Sequence, residues 1–520
     1  MIEFSPKALP ALETLRFEDM LGWKTWSTNV AVFPSLRKLH IINCPELIDV
    51  SAEALPSLRV LEIAGCGDGV WRSLVRAASS ITKLKMSSIS GLTYEVWRGV
   101  IEHIGAVEEV RIVGCDEIRY LWESEEEASK VLVNIKKLEE EDNLGGSNLS
   151  SLRMLDVRVC SSLTHVSCPN NIESLHISYC SSLTHDSCPN NIESLRINSC
   201  SSLTHVSCPN NIESLHINSC RSLTHVSFPT AATGGGGGQK LKSLRISGCE
   251  KLMEKISSAS MPMLESIYIK GWTNLKSIMQ LGNFIYLTEL HLISCPSIES
   301  FPNIQLPLLT HLEIEECESM ESLSALQMKN LTSLKKMTIT NCRGIDVSCH
   351  GGVWPPNLCS HGIGGLKKPM SEWGPQKFPA SLVELYLYDE PDVRNFRQLS
   401  HLFPSSLTHL WIRDFRQLSH LSMGLQHLTS LQHLTIGGCT KLKLLPKHLT
   451  SLQHLNILGC PELKLLPKQL MPSLLSLYII NCPKLGKRCE GSGSHYYPLI
   501  SHIPQIEIHH TIESKEVRRN

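Results

Sequence analysis

Ile172-Glu173-Ser174-Leu175-His176-Ile177-Ser178-Tyr179-Cys180-Ser181-Ser182-Leu183 returns nearly unchanged at Ile192 to Leu203 and at Ile212 to Leu223, a period of 20. A looser copy, Leu152-Leu155-Val157-Cys160-Leu163, stands just before it. In each unit the second and third apolar positions alternate with polar ones, so each unit holds a short strand with one buried face. A single unit is too small to hide its aliphatic side chains. Units stacked on one another hide them against their neighbours.

The same pattern, Leu-x-x-Leu-x-Ile-x-x-Cys-x-x-Leu, extends outward in both directions. Toward the N-terminus it appears as Leu36-Leu39-Ile41-Cys44-Leu47. Toward the C-terminus it appears as Leu241-Leu244-Ile246-Cys249-Leu252, Leu287-Leu290-Leu292-Cys295-Ile298, Leu431-Leu434-Ile436-Cys439-Leu442 and Leu474-Leu477-Ile479-Cys482-Leu485. Outside the central copies the period drifts between about 20 and 29, the range of leucine-rich repeats. The expected fold is therefore α/β: a leucine-rich-repeat solenoid, a curved horseshoe with a concave parallel β-sheet and little convex helix. Pro and Asn between strands, as in Cys168-Pro169-Asn170-Asn171 and Leu466-Pro467, suit turns and oppose long helices.

Residues 1–520 read as one leucine-rich-repeat domain of about 21 units. Two interruptions are expected, near 121–148, where Glu125-Glu126-Glu127 and Glu139-Glu140-Glu141 fall, and near 231–239, where Gly234 to Gly238 form a flexible insertion. The stretch near 346–378 is degenerate, with Leu358-x-x-His361-x-Ile363-x-x-Leu366 placing His361 where a core leucine belongs.

Fourteen of the 20 cysteines occupy the repeat's Cys slot. A small buried side chain with a weak S–H donor at a backbone turn accounts for them. A disulfide or metal ladder is the competing reading, because stacked coils bring such residues near bridging distance. Cys168, Cys188 and Cys208, with His165, His185, His205 and His225, share one period and mimic a zinc site. Duplication of the unit explains that coincidence, and no metal or other cofactor is expected.

Composition narrows the function. The formal net charge is −1, whereas a nucleic-acid-binding surface normally shows as a basic excess, so no nucleic acid is expected as partner. No run approaches the roughly 18–20 apolar residues of a bilayer span. The opening Met1-Ile2-Glu3-Phe4-Ser5-Pro6 lacks the basic and apolar regions of a secretory signal, so a reducing cytoplasmic location is expected. Catalysis is not expected either. The sequence has no G-x-S-x-G, no H-E-x-x-H and no paired C-x-x-C, and Leu-Thr-His recurs in four successive units, whereas an active site needs one unique constellation.

The residues flanking the buried pair of each strand point to the concave face. In the middle coils they are small and polar: Ser174, Ser194, Ser214, Asn198 and Asn218. Further on they become large: Tyr386, Tyr388, His409, Trp411, Arg413, His433, His454, Tyr478 and Ile480. Aromatic and Arg side chains most often carry binding energy at protein interfaces. Tyr386, Tyr388, His409, Trp411, Arg413, His433, His454 and Tyr478 are therefore the candidate protein-binding residues. Packing on adjacent coils, or on a domain outside this chain, is the alternative.

Leu12-Glu13-Thr14-Leu15-Arg16-Phe17-Glu18-Asp19-Met20, followed by Trp23 and Trp26, resembles a stretch in the repeat region of plant disease-resistance proteins. These are nucleotide-binding leucine-rich-repeat immune receptors, particularly those with a coiled-coil N-terminus. Phe33-Pro34-Ser35-Leu36, Ile42-Asn43-Cys44-Pro45, Cys489-Glu490-Gly491 and Ser501-His502-Ile503-Pro504 extend the resemblance over essentially the whole chain. It implies intracellular detection of a pathogen effector or guarded host protein, with the repeats also restraining the receptor's nucleotide-binding module. No G-x-x-x-x-G-K-[ST] loop occurs here, and Gly234 to Lys240 has the wrong spacing, so nucleotide hydrolysis is not carried over. Because Met1 lies almost at the opening of a repeat, the chain reads as the C-terminal part of a receptor, from a truncated gene or a partial gene model. A substrate-recognition adaptor of a ubiquitin ligase is the alternative function; it calls for a helical docking segment before the first coil. A secreted receptor ectodomain is a third option, lacking its signal peptide and its Gly-x-Ile-Pro motif.

Overall fold

The computed structural model describes residues 2–509 outside 4–8, 29–31, 124–151, 188–190, 229–239, 253–260, 279–283, 302–304, 348–352, 490–495 and a few single or paired positions. Most of the interruption expected near 121–148, and that near 231–239, lies outside the described residues. The chain forms two compact units, one comprising Met1–Asn274 with Met279–Asn283, the other Leu275–Ile278 with Phe284–Asn520.

In the first unit eleven five-residue strands, among the described residues, run from Thr14–Glu18 to Ser266–Lys270. Each pairs in parallel with the next, in register and residue for residue. Glu109–Val113 pairs directly with Met154–Arg158, although 45 residues separate equivalent positions. Ser214–Asn218 likewise pairs directly with Ser243–Ser247. Register survives both long connections because a one-residue slip would turn every buried leucine outward.

The second unit repeats the plan with ten described strands from Glu289–Ile293 to Gln505–His509. They too are parallel and in register. The strand Ser360–Gly364 takes its place between Lys336–Thr340 and Glu384–Tyr388, with His361 in the leucine column. Together the strands and their turns make the fold a leucine-rich-repeat solenoid with little helix.

The buried columns explain the ladder. Leu39, Leu175, Leu195, Leu215 and Leu455 at the second strand position are fully buried, as are Ile41, Ile177, Ile197 and Ile457 at the fourth. Each such side chain contributes about 1.5–3 kcal/mol when removed from water. After the fifth position the backbone turns sharply. Asn43, Val159, Tyr179, Ser199, Ser219, Ser294, Glu316, Asn341 and Asn481 all have φ between 51° and 56° there, and Gly65, Gly248, Gly438 and Gly459 fill the same slot elsewhere.

The slot cysteine follows at once and accounts for its own presence. Every one of the fourteen thiols donates to the carbonyl two residues earlier, from Cys44 to Ile42 at 3.4 Å to Cys482 to Ile480 at 3.3 Å. The fifth carbonyl already accepts the backbone N–H of the preceding unit's turn residue, as Ile42 does from Asp19 at 3.0 Å and Ser178 from Val159 at 2.8 Å, and the thiol gives it a second, weaker donor. Burial pushes the Cys249 thiol up to about 12, so it stays protonated and remains a donor. Among the described residues the cysteines are thiols outside any disulfide, and all but Cys359 are buried.

Helices enter where a connection carries an apolar stripe. Asp68–Ala77 buries Val70, Trp71, Leu74 and Val75. Trp71 stacks on Trp97 of the helix Tyr94–Ile101 with ring centroids 5.9 Å apart. In the second unit Ala325–Asn330 opens with a capping box between Ser324 and Gln327. The central copies instead form a second, narrow parallel sheet from His165–Ser167, His185–Ser187, His205–Ser207 and His225–Ser227. No described helix is long and apolar enough to cross a membrane.

Candidate functional site

Because every strand is in register, the first, third and fifth strand positions form three columns on the outer face of each unit's sheet. Adjacent strands lie about 4.8 Å apart. Whatever the sequence places in one column of successive units therefore becomes a row of touching side chains.

In the second unit that spacing brings five of the predicted residues together. Tyr386 and Trp411, paired across adjacent strands, stack face to face with centroids 3.9 Å apart and planes within 8°. His409 lies nearly parallel to Trp411 at 5.5 Å. His409, His433 and His454, the first residues of three successive strands, continue the row at 4.0 and 4.1 Å. The row is anchored at both ends of the histidine run, where His409 Nδ1 hydrogen-bonds Thr408 Oγ1 at 2.8 Å and His454 Nδ1 hydrogen-bonds Ser476 Oγ at 2.7 Å. Burial, with His409 and His454 on either side, holds His433 down at about 4, so its ring stays neutral near pH 7.

The other three predicted residues stand around this row. Tyr388 pairs with Arg413 in the fifth column, and burial raises the Tyr388 phenol above its usual range. The Arg413 side chain is 69% exposed and meets Asp414 at 3.5 Å. Tyr478 shares the third column with Trp411, but Thr435 and Asn456 occupy the two strands between them. Asn456 Nδ2 donates to Thr435 Oγ1 at 3.2 Å, so this gap is polar. Ile480 adjoins Leu458 in the fifth column.

In the first unit the predicted Ser174, Ser194 and Ser214 do form the first column, and Asn198 and Asn218 lie in the fifth. Sequence reasoning missed the third column between them. It carries Asp156, His176, Arg196, His216, Arg245 and Tyr268 on six successive strands. Asp156 is enclosed, its side chain 4% exposed, by Arg111 at 3.0 Å and Arg158 at 2.7 Å. Arg245 lies over the Tyr268 ring, 4.7 Å from its centroid. Burial lowers His176 and His216 below the usual imidazole range, and Arg196 reinforces the shift at both. The signal was present in the sequence as basic residues two positions after each Ser174-type residue, but only alignment of the units displays it as a row.

The opening tryptophan motif is structural. Trp23 and Trp26 are buried, and Phe17 packs against them at 4.6 and 5.3 Å. Among the described residues no group of three or more His, Cys, Asp or Glu side chains is arranged to hold a metal ion.

No family model matches the chain. A curated relative, a putative disease resistance RPP13-like protein of Arabidopsis thaliana, is 46% identical over 61 residues, 11% of this chain. The matched stretch spans 6% of that protein's length. Among solved structures, the TLR13–ssRNA13 complex is similar over 96% of this chain and 82% of its own, at 15% identity and a TM-score of 0.49. A leucine-rich-repeat protein of Leptospira interrogans is similar over 82% and 90%, at 16% identity and a TM-score of 0.36. The mouse RP105/MD-1 complex covers 88% of each chain at 13% identity, with a TM-score of 0.38.

Proposed function

We propose that the chain is a protein-recognition module of plant defence, the repeat region of a cytoplasmic immune receptor, which binds a pathogen effector or a guarded host protein. The observation that carries the reading is the stacked row Tyr386–Trp411 and His409–His433–His454 on the outer face of the second unit. Stacking fixes these rings before any partner arrives, so little side-chain entropy is lost on binding. Their edges, together with the exposed Arg413 guanidinium, offer apolar area and hydrogen-bond donors side by side, as interface hot spots do. The stretch 46% identical to a disease-resistance protein supports the biological setting. In this reading the repeats recognise and restrain, and nucleotide hydrolysis belongs to another module of the receptor.

The test is Trp411→Ala in a receptor carrying this repeat region. Loss of effector-triggered cell death, with basal activity unchanged, is the expected result; truncating one such anchor weakens binding roughly tenfold or more. Raised basal activity without effector would assign the row to restraint of the nucleotide-binding module instead. Recognition and basal activity both at the wild-type level would remove the row from function altogether.

A further inference from the structure

The missed third column of the first unit has a chemistry of its own. Across the strands from Met154–Arg158 to Ser266–Lys270, Asp156 is the sole carboxylate at the first, third and fifth strand positions. It is already enclosed by Arg111 and Arg158. Arg196 and Arg245 are exposed and, among the described residues, neither has a carboxylate within ion-pair distance. Their nearest column neighbours, His176 and His216, are half-buried, and burial lowers both below the usual imidazole range, so they add little further charge. Both ring nitrogens of His176 are already engaged, by Arg158 at 3.2 Å and Asn198 at 3.1 Å.

The acidic residues nearby lie at a different level. Glu173, Glu193 and Glu213 precede the strands by one residue. Glu173 is 3.9 Å from Arg153, and Glu213 pairs with Lys242 at 2.8 Å. Three residues of extended chain, about 10 Å, separate that level from the third column. The serine column lies between them.

We propose that this row is a docking surface for an extended acidic segment of a protein partner, lying across the strands with its carboxylates on Arg196 and Arg245. Two strand spacings separate these arginines, about 10 Å. An extended peptide rising about 3.3 Å per residue matches that distance with acidic residues three positions apart. Charge complementarity selects an anion, and the bidentate guanidinium geometry suits carboxylates. A single-stranded nucleic acid would need aromatic faces on which bases stack. The rings of the third column here are Tyr268, which Arg245 already covers, and the half-buried His176 and His216 imidazoles.

The test uses the whole chain and a fluorescein-labelled peptide of Glu-Gly-Gly repeats, with binding read by fluorescence anisotropy. Wild type is expected to bind, with affinity falling as salt is raised. Arg196→Ser with Arg245→Ser is expected to weaken binding about tenfold or more. Arg196→Lys with Arg245→Lys, which keeps the charges and loses the bidentate fork, should bind more weakly than wild type and more tightly than the serine pair. Thermal melting of each variant reports folding, and the lysine pair keeps the test valid if the serine pair unfolds. Failure of the peptide to bind, or equal binding by the serine variant, would overturn the proposal. So would displacement of the peptide by a single-stranded oligonucleotide or by inorganic phosphate at lower concentration than by unlabelled peptide. Trp411→Ala, placed in the other unit, should leave peptide binding unchanged, so this surface stands or falls separately from the aromatic row.

Discussion

The outer faces of Ser174–Asn218 and of Glu384–Ile480 sit on the same backbone frame and share almost no chemistry. Both are parallel, in-register ladders with leucine at the second strand position and isoleucine or leucine at the fourth. The first carries Ser, His and Arg outward; the second carries Tyr, Trp and a run of His. Burial constrains two columns of five and leaves three open. Recognition can therefore diverge from unit to unit without disturbing the coil beneath it, because stability resides in residues that face the neighbouring coil.

The largest effect that tests this division comes from the core. Leu195→Ala in the first region and Leu434→Ala in the second should each cost about 2–5 kcal/mol, since both leucines are buried among equivalent neighbours. Urea unfolding of the two variants measures the costs. Near-equal values sustain the idea of one frame with two faces. A large cost in one region and almost none in the other would show that the frames differ in more than their outer residues. Arg196→Ser and Thr435→Ser, on the outer faces, should stay within about 0.5 kcal/mol of wild type.

The frame itself was legible in the sequence, because a unit repeated so often reports its buried positions by repetition. The slot cysteine was legible for the same reason, and its thiol-to-carbonyl bond gives that reading a geometry. The positions of Tyr386, Trp411, His409, His433 and His454 followed from strand alternation, but their mutual stacking did not. Stacking depends on register between strands 20 or more residues apart, which only the packed coils fix. The basic column was harder still. A 29-residue step between Asn218 and Ser247 breaks the period just where Arg245 joins Arg196 and His216. The left-handed slot was invisible where Val159, Tyr179 and Glu316 occupy it, since none of these residues announces such a backbone.

A second contrast lies in how the two units bury ionisable groups. Asp156 in the first is enclosed by two arginines. His361 and Glu390 in the second are buried and, among the described residues, hydrogen-bond to backbone alone: His361 Nδ1 donates to the Met337 carbonyl at 2.9 Å, and the Met370 N–H donates to Glu390 at 3.1 Å. Burial lowers His361 from 6.5 to about 4 and raises Glu390 from 4.5 to about 7. The unfolded chain then binds the extra proton at His361 between about pH 4 and 6.5, so stability rises with pH there. The folded chain binds the extra proton at Glu390 between about pH 4.5 and 7, so stability falls with pH there. Each contribution is about 3 kcal/mol in size and they oppose one another. His361→Leu should expose the falling slope and Glu390→Gln the rising one, in melts recorded across pH 4–7.5. Slopes of the same sign in both variants would contradict these burial effects.

A smaller gain than these losses sharpens the comparison at the turn after the strand. Asn341 and Asn481 in the second unit occupy the left-handed slot at φ of 54° and 55°, a conformation asparagine tolerates. Val159 holds the same slot in the first unit at φ 55°, with its β-branched side chain 49% exposed and gaining little from burial. A left-handed residue of that kind costs roughly 1–2 kcal/mol. Val159→Asn keeps the backbone N–H that donates to the Ser178 carbonyl at 2.8 Å and relieves most of that cost. A gain of about 1 kcal/mol should follow, seen as a melting point raised by roughly 2 °C. The reverse exchange, Asn481→Val, should lose a similar amount. If Val159→Asn gains nothing while Asn481→Val still loses, the two slots are not equivalent, and the shared frame ends at the fifth residue of the strand.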